Sequence, residues 1–222
     1  LILILETSSI YCSIAICNLD GAILYNKIAA KENAHAELLP AMVHEAIVAQ
    51  NLKALAINAG PGSYTGLRIG TSLAKGLCYA LKLPLIAVSG LRGLASQGKK
   101  VFPNAEVFIS LLDARRDEAY AAVFNHELKP IQPIHFITIT KQSFHEYANK
   151  SVIINGNCAV KMESIGTCLE QYKILNSEPR AEYYIDEAIA AFEEKKFENL
   201  AYFEPYYLKE YIPGIAKKAA KE

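Results

Sequence analysis

Eleven consecutive residues in the first half of the chain, Gly60-Pro61-Gly62-Ser63-Tyr64-Thr65-Gly66-Leu67-Arg68-Ile69-Gly70, have the composition of an anion-binding turn. They follow the apolar run ALAIN and precede a helix-period segment. Glycines there permit tight backbone turns, and the unpaired amides of a helix start can receive an anion. Gly60, Gly62 and Ser63 are the candidate contacts. The stretch is not a Walker loop, because no Lys-Ser/Thr pair follows the last glycine, and it is not GxGxxG, because three residues separate Gly62 from Gly66. The alternative is a turn whose glycines let the next helix pack closely. Metal chemistry finds no ligand spacing: His44-Glu45 meets Val48 and His145-Glu146 meets Asn149 where a second histidine is needed, and His35, His126 and His135 are isolated. No metal site is expected. Cys12, Cys17, Cys78, Cys158 and Cys168 form no CxxC pair and read as free thiols of a reducing cytoplasm.

The elements that must carry these residues follow from periodicity. Residues 1–5, 12–17 and 22–30 read as strands, the last two joined at Asp20-Gly21 as a hairpin. The spacing of Leu38, Leu39, Met42, Val43, Ala46 and Ile47 predicts a helix over 35–50. A strand at 54–58, a helix over 67–82 stopped before Pro84, a strand at 85–88 and a helix after Ser89 complete one half. The second half repeats the order: strands near 106–112, 118–124 and 131–139, a helix from Gln142, a strand at 151–155, a helix from Cys158, a strand at 172–175 and a helix over 183–196. Two copies of strand, strand, strand, helix, strand, helix, strand, helix predict an α/β, two-lobed actin-like (ASKHA, ribonuclease-H-like) fold, each lobe a mixed sheet flanked by helices. The lobes are expected at 1–100 and 101–222, parted by the Gly, Lys-Lys, Pro and Asn cluster of 98–104. The aromatic tail from Asn199 is expected to pack back on a lobe.

In actin-like ATPases an acidic residue and hydroxyls near the end of the first strand stand beside nucleotide phosphates and Mg²⁺, and Glu6, Thr7 and Ser8 occupy that place. The alternative is a tight turn with Glu6 as a structural remnant, since no phosphate-binding lysine accompanies it. With 23 Lys+Arg against 23 Asp+Glu the chain has zero formal charge, which excludes a phosphate-gripping surface as the main design. No apolar run reaches the roughly 18 residues of a membrane span and no basic-then-apolar leader opens the chain, so a cytoplasmic protein is expected.

GPGSYTGLRIG, together with the opening ILETS, HAELLP at 35–40, LDARRDEAY at 112–120 and EPYYL at 204–208, resembles the TsaB (YeaZ) family, small bacterial relatives of Kae1/TsaD. The resemblance implies a subunit without a complete catalytic site. It implies pairing with a TsaD-like catalytic paralog and a TsaE-like ATPase to place threonylcarbamoyl on tRNA adenosine, with tRNA met only through the complex. No cofactor is expected to be firmly bound, ATP or ADP entering only within the complex. The histidine pair that such catalytic paralogs use for metal falls here on Gly90 and Leu94. The link over 50–53 is shorter than expected for the family, and the chain opens on Leu1 rather than methionine. The rival reading is an active enzyme, a small actin-like ATPase or kinase or a metallopeptidase.

The two helices after the first hairpin carry more apolar surface than one stripe each, with Leu38, Leu39 and Met42 on one and Leu67, Gly70, Thr71, Ala74 and Cys78 on the other, near His35. Core packing is one reading. In the resembled family such a helix pair builds a four-helix interface, which implies a homodimer when the chain is by itself and makes Leu38 and Thr71 the places to introduce a charge. Asp113, Arg115 and Arg116 are either a solvated hairpin tip or a patch facing a partner or tRNA.

Overall fold

The computed structural model of the chain describes residues 1–208 apart from 30, 33, 49 and 167–171. Cys168 and the tail beyond Leu208 therefore lie outside the described residues.

The first half builds β1 (Ile2–Glu6), β2 (Ser13–Cys17), β3 (Ile23–Ile28), α1 (His35–Ile47), β4 (Ala54–Asn58), α2 (Tyr64–Leu81), β5 (Leu85–Val88) and α3 (Gly90–Val101). The second builds β6 (Val107–Asp113), β7 (Glu118–Asn125), β8 (Pro130–Thr138), β9 (Val152–Asn155), α4 (Ala159–Ile165), β10 (Tyr172–Leu175) and α5 (Ile185–Glu193). The sheets run β3-β2-β1-β4-β5 and β10-β9-β6-β7-β8, so read from their third strands they have one topology, two antiparallel pairings followed by two parallel ones. This is the two-lobed actin-like architecture.

Strand period decides the layers. Leu3 and Leu5 of β1 point outward into a core with Leu39, Met42, Val43, Ala74 and Cys78 of α1 and α2. Ile2 and Ile4 point the other way, into a core shared by both sheets. The outer face of the second sheet closes on α4 through Val107, Ile109, Leu111, Cys158 and Met162.

The inner helices are exchanged between the halves. α3, which ends the first half, packs on β6, β7 and β9, while α5 and the 3-10 turn Ala181–Tyr184 pack on β1, β2 and β5. Each sheet thus owes part of its cover to the other half of the chain.

Three elements differ from the sequence expectation in where they start, the first being α2, which begins at Tyr64 rather than Leu67 because Ser63 caps it through Gly66 N. No α-helix starts at Gln142. Ser143 Oγ accepts from Thr140 N at 2.9 Å and buried Phe144 takes a left-handed φ of 66°, leaving only the 3-10 turn His145–Tyr147. The last helix starts later than Tyr183 because Tyr183 and Tyr184 form the 3-10 turn that drives their rings inward. No helix among the described residues is long and apolar enough to cross a membrane.

Candidate functional site

The polar ends of β1 and β4 meet in a sealed knot. Glu6, Thr7 and Asn58 are fully buried and Ser8 is nearly so. Asn58 Nδ2 donates to Glu6 Oε2 at 2.6 Å and to Ser8 Oγ at 2.9 Å, while its Oδ1 accepts from Gly60 N at 2.9 Å and Gly90 N at 3.0 Å. Tyr184 OH donates to Glu6 Oε2 and Ser8 N to Glu6 Oε1. Burial pushes the Glu6 carboxyl up, against the hydrogen bonds from Ser8, Tyr184 and Asn58 that hold it down. Tyr184, itself fully buried, is raised well above the usual tyrosine range by burial and by the adjacent Glu6.

The glycine motif serves this knot. A Cβ on Gly66 would overlap the Thr7 carbonyl, and one on Gly70 would stand 2.9 Å from Thr7 Cγ2 and closer still to its hydroxyl. One on Gly62 would meet Ser8 at 2.5 Å. The motif lets the start of α2 lie directly on the Thr7-Ser8 turn. The amides at the start of α2 are partly spent: Ser63 Oγ accepts from Gly66 N at 3.2 Å, and Ser63 N donates to Ser8 O at 2.7 Å. We expect Gly70→Leu to lower stability by about 1–3 kcal/mol through overpacking on Thr7. A melting curve would show a fall of several degrees, about 2–4 °C per kcal/mol for a chain of this size.

A groove between the two halves of the chain is lined among others by Tyr11, Gln97, Ser177, Glu178 and Arg180 and by none of the knot residues. Ser177 Oγ is buried without a partner, whereas Arg180 pairs with Glu182 at 3.7 Å. The one guanidinium is engaged and a carboxylate lines the same wall, so the lining is poorly suited to a polyphosphate without a bound cation. Gly90 and Leu94 hold structural posts: Gly90 N caps Asn58, and buried Leu94 offers its carbonyl to Asn155 Nδ2 at 2.7 Å. Among the described residues no group of three or more His, Cys, Asp or Glu could hold a metal ion.

The helix pair divides into two faces. Leu39, Met42, Leu67, Gly70, Ala74 and Cys78 are buried in their own lobe, as are His35, whose imidazole is pushed down by burial, and Thr71. Leu38 is half-buried. Because Thr71 is 7% exposed with its hydroxyl unpartnered, a charge there would test the fold rather than the surface. The outward stripe of α2 is instead Arg68, Ser72, Gly76 and Tyr79, and Val48 just past the end of α1 is exposed as well. Tyr79 is 82% exposed and Val48 61%. A Cβ on Gly76 would meet nothing within 4 Å, so the lobe itself has no use for a glycine that costs a helix interior about 1 kcal/mol. Sequence reasoning missed Asn58, Tyr184, Gly76 and Tyr79; the wheel phase of Gly76, about 200° from Ala74, was the available signal.

At the second lobe, Asp113 N donates to Asn157 Oδ1 at 2.9 Å, and Lys161 Nζ donates to Asp113 Oδ1 at 2.6 Å and Arg116 O at 2.5 Å. Arg115 and Arg116 both have left-handed φ, 76° and 49°, at a solvated hairpin tip.

The family model described as TsaD, tRNA N6-adenosine threonylcarbamoyltransferase, matches residues 23–219. The Bacillus subtilis tRNA threonylcarbamoyladenosine biosynthesis protein TsaB is 35% identical over 132 residues, 57% of this chain and 56% of that protein. Its Escherichia coli counterpart is 34% identical over 139 residues, 57% of this chain and 55% of that protein. The matched stretch thus spans little more than half the length of these relatives. The solved structure of YeaZ from Pseudomonas aeruginosa superposes with a TM-score of 0.81 at 24% identity, covering 93% of this chain and 99% of that one.

Proposed function

Because the chain belongs to the TsaD family of tRNA N6-adenosine threonylcarbamoyltransferases and resembles its TsaB (YeaZ) relatives, we propose that it is a non-catalytic subunit of tRNA threonylcarbamoyladenosine synthesis. In this reading it binds and stabilises a TsaD-like catalytic paralog. The TsaE-like ATPase and the tRNA join the assembly rather than this chain, and nucleotide is met only within the complex.

One observation carries the non-catalytic part. The carboxylate placed to serve a nucleotide, Glu6, is sealed by Ser8, Asn58 and Tyr184, and the glycine loop beside it is spent on packing Thr7 and Ser8. To reach a Mg²⁺ or a phosphate, Glu6 would have to give up three hydrogen-bond partners and open a core shared by both lobes. The purified chain is therefore expected to hydrolyse ATP at background rate. Turnover that disappears on Glu6→Gln would overturn the reading.

The partner surface is the outward stripe of α2, whose small residues admit a helix and whose exposed Tyr79 supplies an aromatic anchor. The same face would pair two copies when the paralog is absent. Gly76→Arg is the decisive variant. It should raise stability by about 0.5–1 kcal/mol, because arginine is a better helix former in open space, yet abolish both self-association and the complex with the paralog. Size-exclusion chromatography of the chain alone and of the co-expressed pair reads both. An intact complex with Gly76→Arg would move the interface elsewhere.

A further inference from the structure

We propose that the groove between β5 and the strap formed by residues 198–206 takes an extended peptide segment of a partner protein that carries a lysine or arginine side chain. The groove lies at the free edge of the first sheet. Leu55 N donates to Pro84 O at 3.1 Å and Ala59 N to Val88 O at 2.9 Å, so residues 84, 86 and 88 face β4. Strand alternation then turns Leu85 and Ala87 outward. The strap takes the first of these, Glu198 N donating to Leu85 O at 2.8 Å, and rejoins the sheet where Tyr206 N donates to Ala59 O at 2.7 Å. Between these two points it bows away, held by buried Phe203 and by Lys75 Nζ, which donates to Ala201 O at 3.1 Å and Phe203 O at 3.2 Å.

Half-buried Ala87 lines the groove beneath the bow with its N–H and C=O pointing away from β4. An extended segment laid there gains two main-chain hydrogen bonds, the strand-addition mode of peptide recognition. A single free residue specifies little, so the walls must supply the selectivity. They are acidic and aromatic: Glu198, Glu204, Tyr202, Tyr206 and Asn199, with no lysine or arginine among the lining residues. Tyr202 is 84% exposed and Tyr206 50%. Neither glutamate takes part in an ion pair among the described residues. Two carboxylates with no ion pair among the described residues, lining the groove together with two tyrosines, fit a cationic side chain, attracted by charge and by aromatic rings. An anionic or nucleic-acid occupant would meet repulsion. The groove adjoins the outward stripe of α2, since Lys75, one turn from Ser72 and from Tyr79, holds the strap.

The test is an amide-resolved NMR titration of the full chain with the acetylated, amidated peptide Thr-Val-Lys-Val-Thr, and with the same peptide carrying glutamate for lysine. Saturable shifts are expected at Ala87, Asn199 and Tyr202 with the lysine peptide only. The doubly substituted Glu198→Gln, Glu204→Gln chain should bind about fivefold more weakly at low salt. Its fold should be unchanged, because the bridge to Leu85 uses the main chain of Glu198. Raising salt from about 0.05 to 0.5 M should erase most of that difference. Equal binding of the glutamate peptide, no saturable shift at Ala87, or indifference to the double substitution would each overturn the proposal.

Discussion

Replacing Asn58 with alanine is expected to lower the stability of the chain by about 3–5 kcal/mol, the range for breaking a buried, hydrogen-bonded charged group by removing one partner. The side chain is small, but it closes five contacts at once. It donates to Glu6, Ser8 and, at 3.4 Å, to Tyr184 OH, and it accepts from Gly60 N and Gly90 N. Alanine would leave two buried amides and part of a buried carboxylate unpaired in a region water cannot reach without opening the joint between lobes. Urea unfolding at neutral pH measures the loss. Tyr184→Phe, which removes one donor while the ring still packs against α3, should cost less, about 1–3 kcal/mol. If Asn58→Ala costs under about 1 kcal/mol, the knot is a by-product of the fold and not a fastener, and the sealed carboxylate would no longer argue against nucleotide chemistry.

This knot also marks the limit of what the sequence made legible. LILIL and ALAIN announce strands buried on both faces, and the observed cores on either side of β1 bear that reading out residue by residue. Topology followed because the order of elements repeats in each half and allows few connections. Helix periodicity, however, tells which face of a helix is apolar and not which sheet receives it. α3 and α5 have apolar faces compatible with either lobe, and their exchange across the joint is decided by tertiary packing. Tyr184 was hidden for a related reason. It meets Glu6 across 178 positions of sequence, and nothing in the local run Arg-Ala-Glu-Tyr-Tyr-Ile-Asp separates a ring that plugs a joint from one that pads a core.

The glycine motif shows the complementary case, in which spacing was visible and its meaning was not. Gly62, Gly66 and Gly70 recur every fourth residue, the signature of one helix face. That face could have met a ligand, another helix or the backbone of a turn. In the fold it meets Thr7 and Ser8, whose position follows from β1 and not from anything within the motif.

A second large effect is expected from pH, through Glu187. This residue of α5 sits at the start of α3, where its Oε2 accepts from Ser89 N at 3.3 Å and its Oε1 lies 3.9 Å from Arg92 Nη1. Burial raises its carboxyl to about 7, with Arg92 and the Ser89 amide pulling the other way. In the unfolded chain the same group titrates near 4.5. Between these values the folded state holds the proton and the unfolded state does not, so raising the pH favours unfolding. The contribution of Glu187 is therefore complete below about pH 4.5, fades as pH climbs through 7, and is then flat, a loss of about 3 kcal/mol in all. Buried Glu6, shifted in the same direction, adds to the trend. Glu187→Gln keeps the shape of the side chain and removes the titration. Urea midpoints of wild type and Glu187→Gln between pH 5 and 8 should diverge as pH rises, with the variant gaining relative stability until about pH 7.5. The sign matters more than the size, because an exposed glutamate paired with Arg92 would give the opposite slope. A difference between the two proteins that stays constant across the range would mean that Glu187 is already charged in the fold, and that the start of α3 accepts a carboxylate as readily as water does.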